Sequence, residues 1–154
     1  MTTTPPDDGP SREGRVVRHF MTGVPHLAAL GIAYHSHGKE WAELHMPFSP
    51  QQVADPDYGI IASGAIFTLM DSAAGFATNM RLGQFMPIAT IDLRIDYLRG
   101  PEPQAVVIGR ASCYRLTRQI AFVRGVAHDG DPENPIANMA GTFMINRPPA
   151  QATA

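Results

Sequence analysis

Two hydrophobic periods divide the chain. From Thr90 to Tyr97 the residues alternate, with Thr90, Asp92, Arg94 and Asp96 on one side and Ile91, Leu93, Ile95 and Tyr97 on the other, the period of two that a strand imposes. From Ser63 to about Met80 the pattern is that of a helix, with apolar residues over most of its circumference: Ala65, Ile66, Phe67, Leu69, Met70, Ala73, Ala74, Phe76, Ala77 and Met80. Such a helix is expected to be buried on most sides. Its apolar surface is interrupted by a narrow polar stripe of Thr68, Asp71, Ser72, Gly75 and Asn79. That spacing places all five on one helical face.

Around these two segments the remaining pattern is regular. Arg15 to Thr22 predicts a short amphipathic helix, ended by Pro25. A strand is expected around Ile32–Ser36, then a turn at His37-Gly38-Lys39. A second strand follows over Trp41–Met46, where Ala42, Leu44 and Met46 alternate with Glu43 and His45. Residues 47–61, dense in Pro and Asp, predict a long loop. Gly100-Pro101 ends the strand that begins at Thr90. Ala105–Leu116, Gln119–Ala127 and Ile136–Ile145 predict three more strands, separated by a turn near Thr117 and by the loop HDGDPENP. The order is a hairpin, one long helix, then a meander of four strands. Strands grouped after a single helix predict an α+β fold, a curved antiparallel sheet of about six strands wrapped around one long central helix. Residues 1–14, rich in Thr, Pro, Asp and Gly, predict a disordered lead, and 147–154 a flexible tail, leaving one domain over 15–146.

Composition narrows the class. The chain has 154 residues, 44% of them hydrophobic and only 17% charged. It can build a core but has few charges for its surface, which leads us to expect an oligomer. Its 12 cations (eleven Arg and Lys39) are dispersed and the net charge is −2, so no basic stripe marks a nucleic-acid binder. A lone cysteine, Cys113, leaves no intrachain disulfide and no cysteine-based zinc cluster. The first residues carry no apolar signal core, and no run of uncharged apolar residues is long enough for a membrane span. A cytoplasmic protein is the expectation.

Asp71 is the residue whose position needs a reason. A lone carboxylate among oily faces costs several kcal/mol or takes a raised pKa unless it is paired. Either the stripe faces water or a subunit boundary, or it faces a cleft in which Asp71 serves as base or nucleophile. Ser63 is a candidate N-cap for the helix. With Gly64 beside it, the first free amides, backed by the helix dipole, would suit a developing oxyanion. An ordinary capped helix fits the same spacing. Other candidates carry less. The six histidines (19, 26, 35, 37, 45 and 128) show no metal-ligand spacing, and Cys113 has no nucleophile signature. There is no Gly-rich phosphate loop and no nucleophile elbow. Asp92, Arg94 and Asp96 on one strand face predict charge pairing.

The stretch Gly64-Ala65-Ile66-Phe67-Thr68-Leu69-Met70-Asp71-Ser72-Ala73-Ala74-Gly75 resembles the central helix of the hotdog-fold thioesterases, in the branch of the phenylacetate-pathway enzymes. Thr90 to Arg99 is similar to the strand that follows in that family, and Ala137 to Phe143 to its last strand. The resemblance spans roughly residues 20–146. It implies that Asp71 is the carboxylate that attacks the thioester or activates water. It implies backbone oxyanion donors at Ser63 and Gly64, and a hydroxyl at Thr90 that helps hold the water. By the same resemblance, Phe67, Met70 and Gly75 are expected to bind substrate, with Phe76 beside the acyl tunnel. Thr117 and Arg118 fall on the turn that meets the nucleotide end of coenzyme A. Two positions depart from the family pattern. Its His-Gly-Gly is Ala62-Ser63-Gly64 here, and its Asn or Gln falls on Pro56, with Asp55 and Asp57 as neighbours that could substitute. The expected function is hydrolysis of a medium-chain or aromatic acyl-CoA, the eight methionines supplying an adaptable pocket, with no cofactor and no metal. The expected assembly is a homodimer or a dimer of dimers, with Asp71 of one chain opposite the 55–64 loop of the other. The missing His and Asn favour an alternative, a non-catalytic acyl-CoA-binding hotdog module. A hydratase on the same fold ranks third, because no histidine lies between His45 and His128.

Overall fold

The computed structural model describes residues 11–146; residues 1–10 of the expected lead over 1–14, and the tail over 147–154, lie outside the described residues, while 11–14 form the start of a helix. Helix α1 spans Arg12–Gly23, beginning ahead of the expected Arg15. Ser11 caps it by accepting the Gly14 amide at 2.9 Å, and Glu13 in the first turn suits the positive end of the dipole. A short helix α2 (Pro25–Ala29) leads into the hairpin β1 (Ala33–His37) and β2 (Trp41–Met46). Helix α3 runs Ser63–Leu82, closed by Gly83 in the left-handed region (φ 66°). Strands β5 (Ile88–Tyr97), β6 (Val107–Leu116), β7 (Ile120–His128) and β8 (Ala137–Ile145) follow.

The segment expected to be one long loop, 47–61, has internal structure. A 3-10 turn at Pro50–Gln52 opens a small hairpin of β3 (Val53–Asp55) and β4 (Ile60–Ile61). Buried Gln52 holds it in place. Its amide nitrogen donates to the carbonyls of Leu30 (2.7 Å) and Pro47 (3.0 Å), and its oxygen accepts the Ser49 amide (3.0 Å). The Gln52 carbonyl then accepts the Ala62 amide at 2.8 Å, fixing where α3 begins.

Six strands form one antiparallel sheet in the order β1-β2-β6-β7-β8-β5. This corrects the expected four-strand meander. Of those four strands only β6, β7 and β8 pair as sequence neighbours, while β5 lies at the far edge against β8. The reason is local: Leu98–Val106, with Gly100-Pro101 and Pro103, is too long for a tight hairpin. The Leu98 and Arg99 amides instead donate to the Ile136 carbonyl (2.8 and 3.3 Å), holding the strand's exit beside β8.

α3 packs into the hollow of the sheet, chiefly against β2, β6 and β7. Leu69, Met70, Ala73, Ala74, Phe76 and Ala77 are wholly buried. Two strand glycines let it approach closely. A Cβ at Gly109 would stand 2.9 Å from Leu69 Cγ, and one at Gly125 would stand 3.0 Å from Met70 Cε. No described helix is long and apolar enough to cross a membrane.

The exit of β5 is clamped to the β7–β8 connection. The Arg99 guanidinium donates twice to Asp129 (2.9 and 2.5 Å) and once to the Asn134 carbonyl (2.7 Å), while Asp129 also accepts the Glu102 amide (2.8 Å). These bonds, foremost those from Arg99, bring the Asp129 pKa down to about 2 from 3.8. The carboxylate form is thus favoured by folding, and its stabilisation is present above the unfolded value and lost as pH falls toward 2. Asp129→Asn is expected to destabilise by about 1 kcal/mol at neutral pH, a figure reduced for water around the pair. The gap between variant and wild type in thermal unfolding should close between about pH 4 and pH 2.

Candidate active site

The polar stripe of α3 changes character along its length. Thr68, Asp71 and Ser72 are half-buried, whereas Gly75 and Asn79 are buried. Asn79 is used up locally, its oxygen accepting the Met86 amide (2.7 Å) and its nitrogen reaching the Gly75 carbonyl (3.3 Å). Asp71 is left at the open part of the stripe. Burial raises its pKa above the ordinary carboxylate value, and a hydrogen bond from Thr90 partly opposes the rise. The Thr90 hydroxyl donates to Asp71 Oδ1 at 2.9 Å.

Strict alternation would have kept Thr90 on the solvent side with Asp92, Arg94 and Asp96. A β-bulge between Thr90 and Asp92 reverses the parity. Ile88 and Thr90 stand opposite Ile145 and Phe143, while Leu93, Ile95 and Tyr97 stand opposite Gly141, Met139 and Ala137. Since paired residues share a sheet face and those partners on β8 are buried, Thr90 joins the helix side. The displaced Ile91 is left 52% exposed.

The start of α3 also differs from expectation. Ser63 is not the N-cap. Ala62 holds that position, in extended conformation and without a side-chain cap bond, because the Gln52 carbonyl fixes its amide. The amides of Ser63 and Gly64 therefore lie in the first turn, where no helical carbonyl can reach them. Both residues are exposed, and the space where a Gly64 Cβ would point is open. Tyr97, which sequence reasoning did not single out, donates its hydroxyl to the Ser63 carbonyl at 2.8 Å and braces this turn. Its place on the apolar side of the alternating strand was the available signal. Beside the turn lies a cavity of about 250 Å³, walled by His26, Leu30, Gln52, Ala62, Gly64 and Thr68 among others. Thr68 is one turn before Asp71 and Ser72, so this cavity adjoins the open part of the stripe.

The other expected site residues are dispersed. Phe67 is 41% exposed on the flank of α3. Met70 is fully buried, its sulfur and methyl against Gly109 and Gly125, and belongs to the contact between helix and sheet. Gly75 is buried beside Phe20, Ile88 and Phe143, and Phe76 stacks with Phe20 at 5.3 Å between ring centres. Thr117 closes the β6–β7 turn through two 3.0 Å bonds with Ile120, and Arg118 is exposed there. Asp55 turns into its own loop to accept the Asp57 amide (3.0 Å), and Pro56 is exposed. Arg94 pairs with Asp96 at 2.9 Å on the outer side of β5. Among the described residues no cluster of His, Cys, Asp and Glu could hold a metal ion.

An acidic group of raised pKa, an adjacent hydroxyl and an uncapped helix start are the parts needed to add water to a carbonyl and to receive the oxyanion. Residues 58–136 match the sequence profile described as Thioesterase superfamily. The chain is 28% identical over 142 residues to a protein named medium/long-chain acyl-CoA thioesterase YigI from Escherichia coli strain K12, covering 82% of this chain and 88% of that one. A crystal structure of a Pseudomonas aeruginosa protein superimposes with TM-score 0.77 at 38% identity, covering 84% of this chain and 96% of that one. A variant of the phenylacetic acid degradation protein PaaI from Thermus thermophilus superimposes with TM-score 0.68 at 26% identity, covering 79% of this chain and 98% of that one. The chain belongs to the thioesterase superfamily, a thioester hydrolase built on the hotdog fold.

Proposed function

We propose that the protein hydrolyses a medium-chain or aromatic acyl-CoA to the free acid and coenzyme A in the cytoplasm. The observation that carries this reading is the Asp71–Thr90 pair at the open part of an otherwise buried helix. Asp71 takes a proton from water held against the Thr90 hydroxyl, and the hydroxide adds to the thioester carbon. The carbonyl oxygen takes the negative charge on the first-turn amides of α3. Collapse breaks the C–S bond, and the thiolate leaves and is protonated from Asp71. The name of the Escherichia coli relative supports an acyl-CoA as the thioester, and its medium and long chains favour an alkyl acyl group.

A single copy does not complete this site. Asp71 stands eight residues beyond Ser63, about 12 Å along the axis at the helical rise. A reacting carbon must lie about 3 Å from both base and oxyanion donors. Two copies solve the problem when Asp71 of one faces the helix start of the other. β5 supports that assembly, being a ten-residue strand paired, among the described residues, with β8 alone, with Ile91, Tyr97 and the adjoining Leu98 exposed. A long edge of that kind is a template for a second copy. We therefore read the protein as a dimer joined through β5, or as two such dimers.

The direct test is thiol release from short, medium, long and aromatic acyl-CoAs by wild type and Asp71→Asn. Turnover is expected for wild type, falling by at least about a thousandfold in the variant with the oligomer unchanged in light scattering. If no acyl-CoA is turned over while acyl-CoA still raises Tm, the non-catalytic binding module replaces this reading.

Because Asp71 must be deprotonated to act and its pKa is raised, activity should fall with acid at a pH above that of an ordinary aspartate. Thr90→Val removes the bond that favours the carboxylate, so the acid limb of kcat should move to still higher pH. An unmoved limb would show that Asp71 is not the titrating base.

A further inference from the structure

The open part of the stripe that carries Asp71 ends one turn later, at buried Gly75. Gly75 follows Asp71 by four residues on α3, about 6 Å along the axis. Ile88 precedes Thr90 by two residues on the same face of β5, as their partners Ile145 and Phe143 require. Asp71 and Thr90 meet across the seam between α3 and β5, joined at 2.9 Å, and Gly75 and Ile88 are the next pair along that seam. Phe143 forms the floor there, with Cε1 3.9 Å from where a Gly75 Cβ would stand.

That stretch is filled from outside the sheet. Phe20 of α1 brings its ring tip, Cζ, to 3.4 Å from the same point, and Ile88 Cδ1 comes to 3.3 Å. The missing side chain at Gly75 leaves room over the helix, and the tip of Phe20 takes it. The ring rests on Phe76 (5.3 Å between centres) and is 9% exposed, so it is fixed rather than dangling. α1 lies outside the residues that match the superfamily profile, 58–136. The Asp71–Thr90 pair comes from α3 and β5, whereas the stop beside it comes from α1.

We propose that Phe20 is a specificity-determining residue, a plug over Gly75 that sets how far an acyl chain can extend past Asp71 between α3 and β5. The inference rests on the acyl-CoA thioesterase reading and adds the length limit. A plug of this kind discriminates by steric exclusion of the terminal methylenes, so shortening it admits longer chains without touching the base or the oxyanion donors.

The test compares kcat/KM for an acyl-CoA series of increasing alkyl length in the full chain. Phe20→Ala should raise the ratio of long-chain to short-chain kcat/KM by at least about tenfold, the discrimination that a few methylenes carry. Phe20→Leu, which retains most of the packing on Phe76, should shift the ratio in the same direction by less, and secures the result if the alanine variant does not fold. Adding Gly75→Ala to either variant puts a methyl into the vacated space and should return the ratio toward wild type. An unchanged ratio in folded variants with intact short-chain turnover overturns the plug and leaves the thioesterase reading standing. A shift that Gly75→Ala does not reverse also overturns it, because the new room is then elsewhere. Wild type without turnover on any acyl-CoA overturns both.

Discussion

A helix that is apolar on nearly every side must be covered on nearly every side, and this constraint on α3 organises the molecule. The sheet supplies most of the cover, with glycines at 109 and 125 so that Leu69 and Met70 can press against its backbone. α1 supplies more, placing Val16, Val17 and Phe20 in the core. What remains uncovered is short and runs from the helix start to Ser72. Burial of about 25 cal/mol for each Å² of apolar surface drives the closure, so any segment of α3 left open must be polar enough to tolerate water. Thr68, Asp71 and Ser72 are that segment.

Within it, one backbone irregularity sets the surroundings of Asp71. Without the bulge in β5, Thr90 would point to solvent and Asp71 would keep its desolvation cost with no hydroxyl beside it. With the bulge, the carboxylate is partly desolvated yet hydrogen-bonded, a state in which it is more basic than in water and still ionisable. Tyr97 lies on the same strand face beyond the bulge and reaches the Ser63 carbonyl. β5 thus braces both the acid and the helix start. The loop ahead of α3 matters equally: Gln52 fixes the Ala62 amide, so that no side chain covers the first-turn amides.

The charged groups fall into two kinds. Arg99 and Asp129 are a structural clamp, bidentate and supplemented by backbone bonds, that ties the exit of β5 to β8. Asp71 has no cationic partner among the causes of its shift. The difference in their pKa directions has this physical origin: a guanidinium lowers one carboxylate, and burial raises the other.

Much of this was legible in the sequence because it depends on local period and composition. The helical stripe isolates Asp71. The alternation in Trp41–Met46 and from Thr90 on gives strands, and grouping of strands after one helix gives the α+β class. The resemblance of residues 64–75 and 90–99 added the roles expected of Asp71 and Thr90, and the structure added the hydrogen bond between them. What the sequence could not carry was any fact created by distant segments meeting. Strand order is one, since β5 pairs with β8 across a loop that periodicity does not see. The parity of Thr90 is another, because a bulge is a mismatch between two strands and has no trace in either alone. The burial of Gly75, a member of the polar stripe, is a third, set by Phe20, Ile88 and Phe143 lying over it. Period along a chain determines which residues share a face; only tertiary packing determines what that face meets.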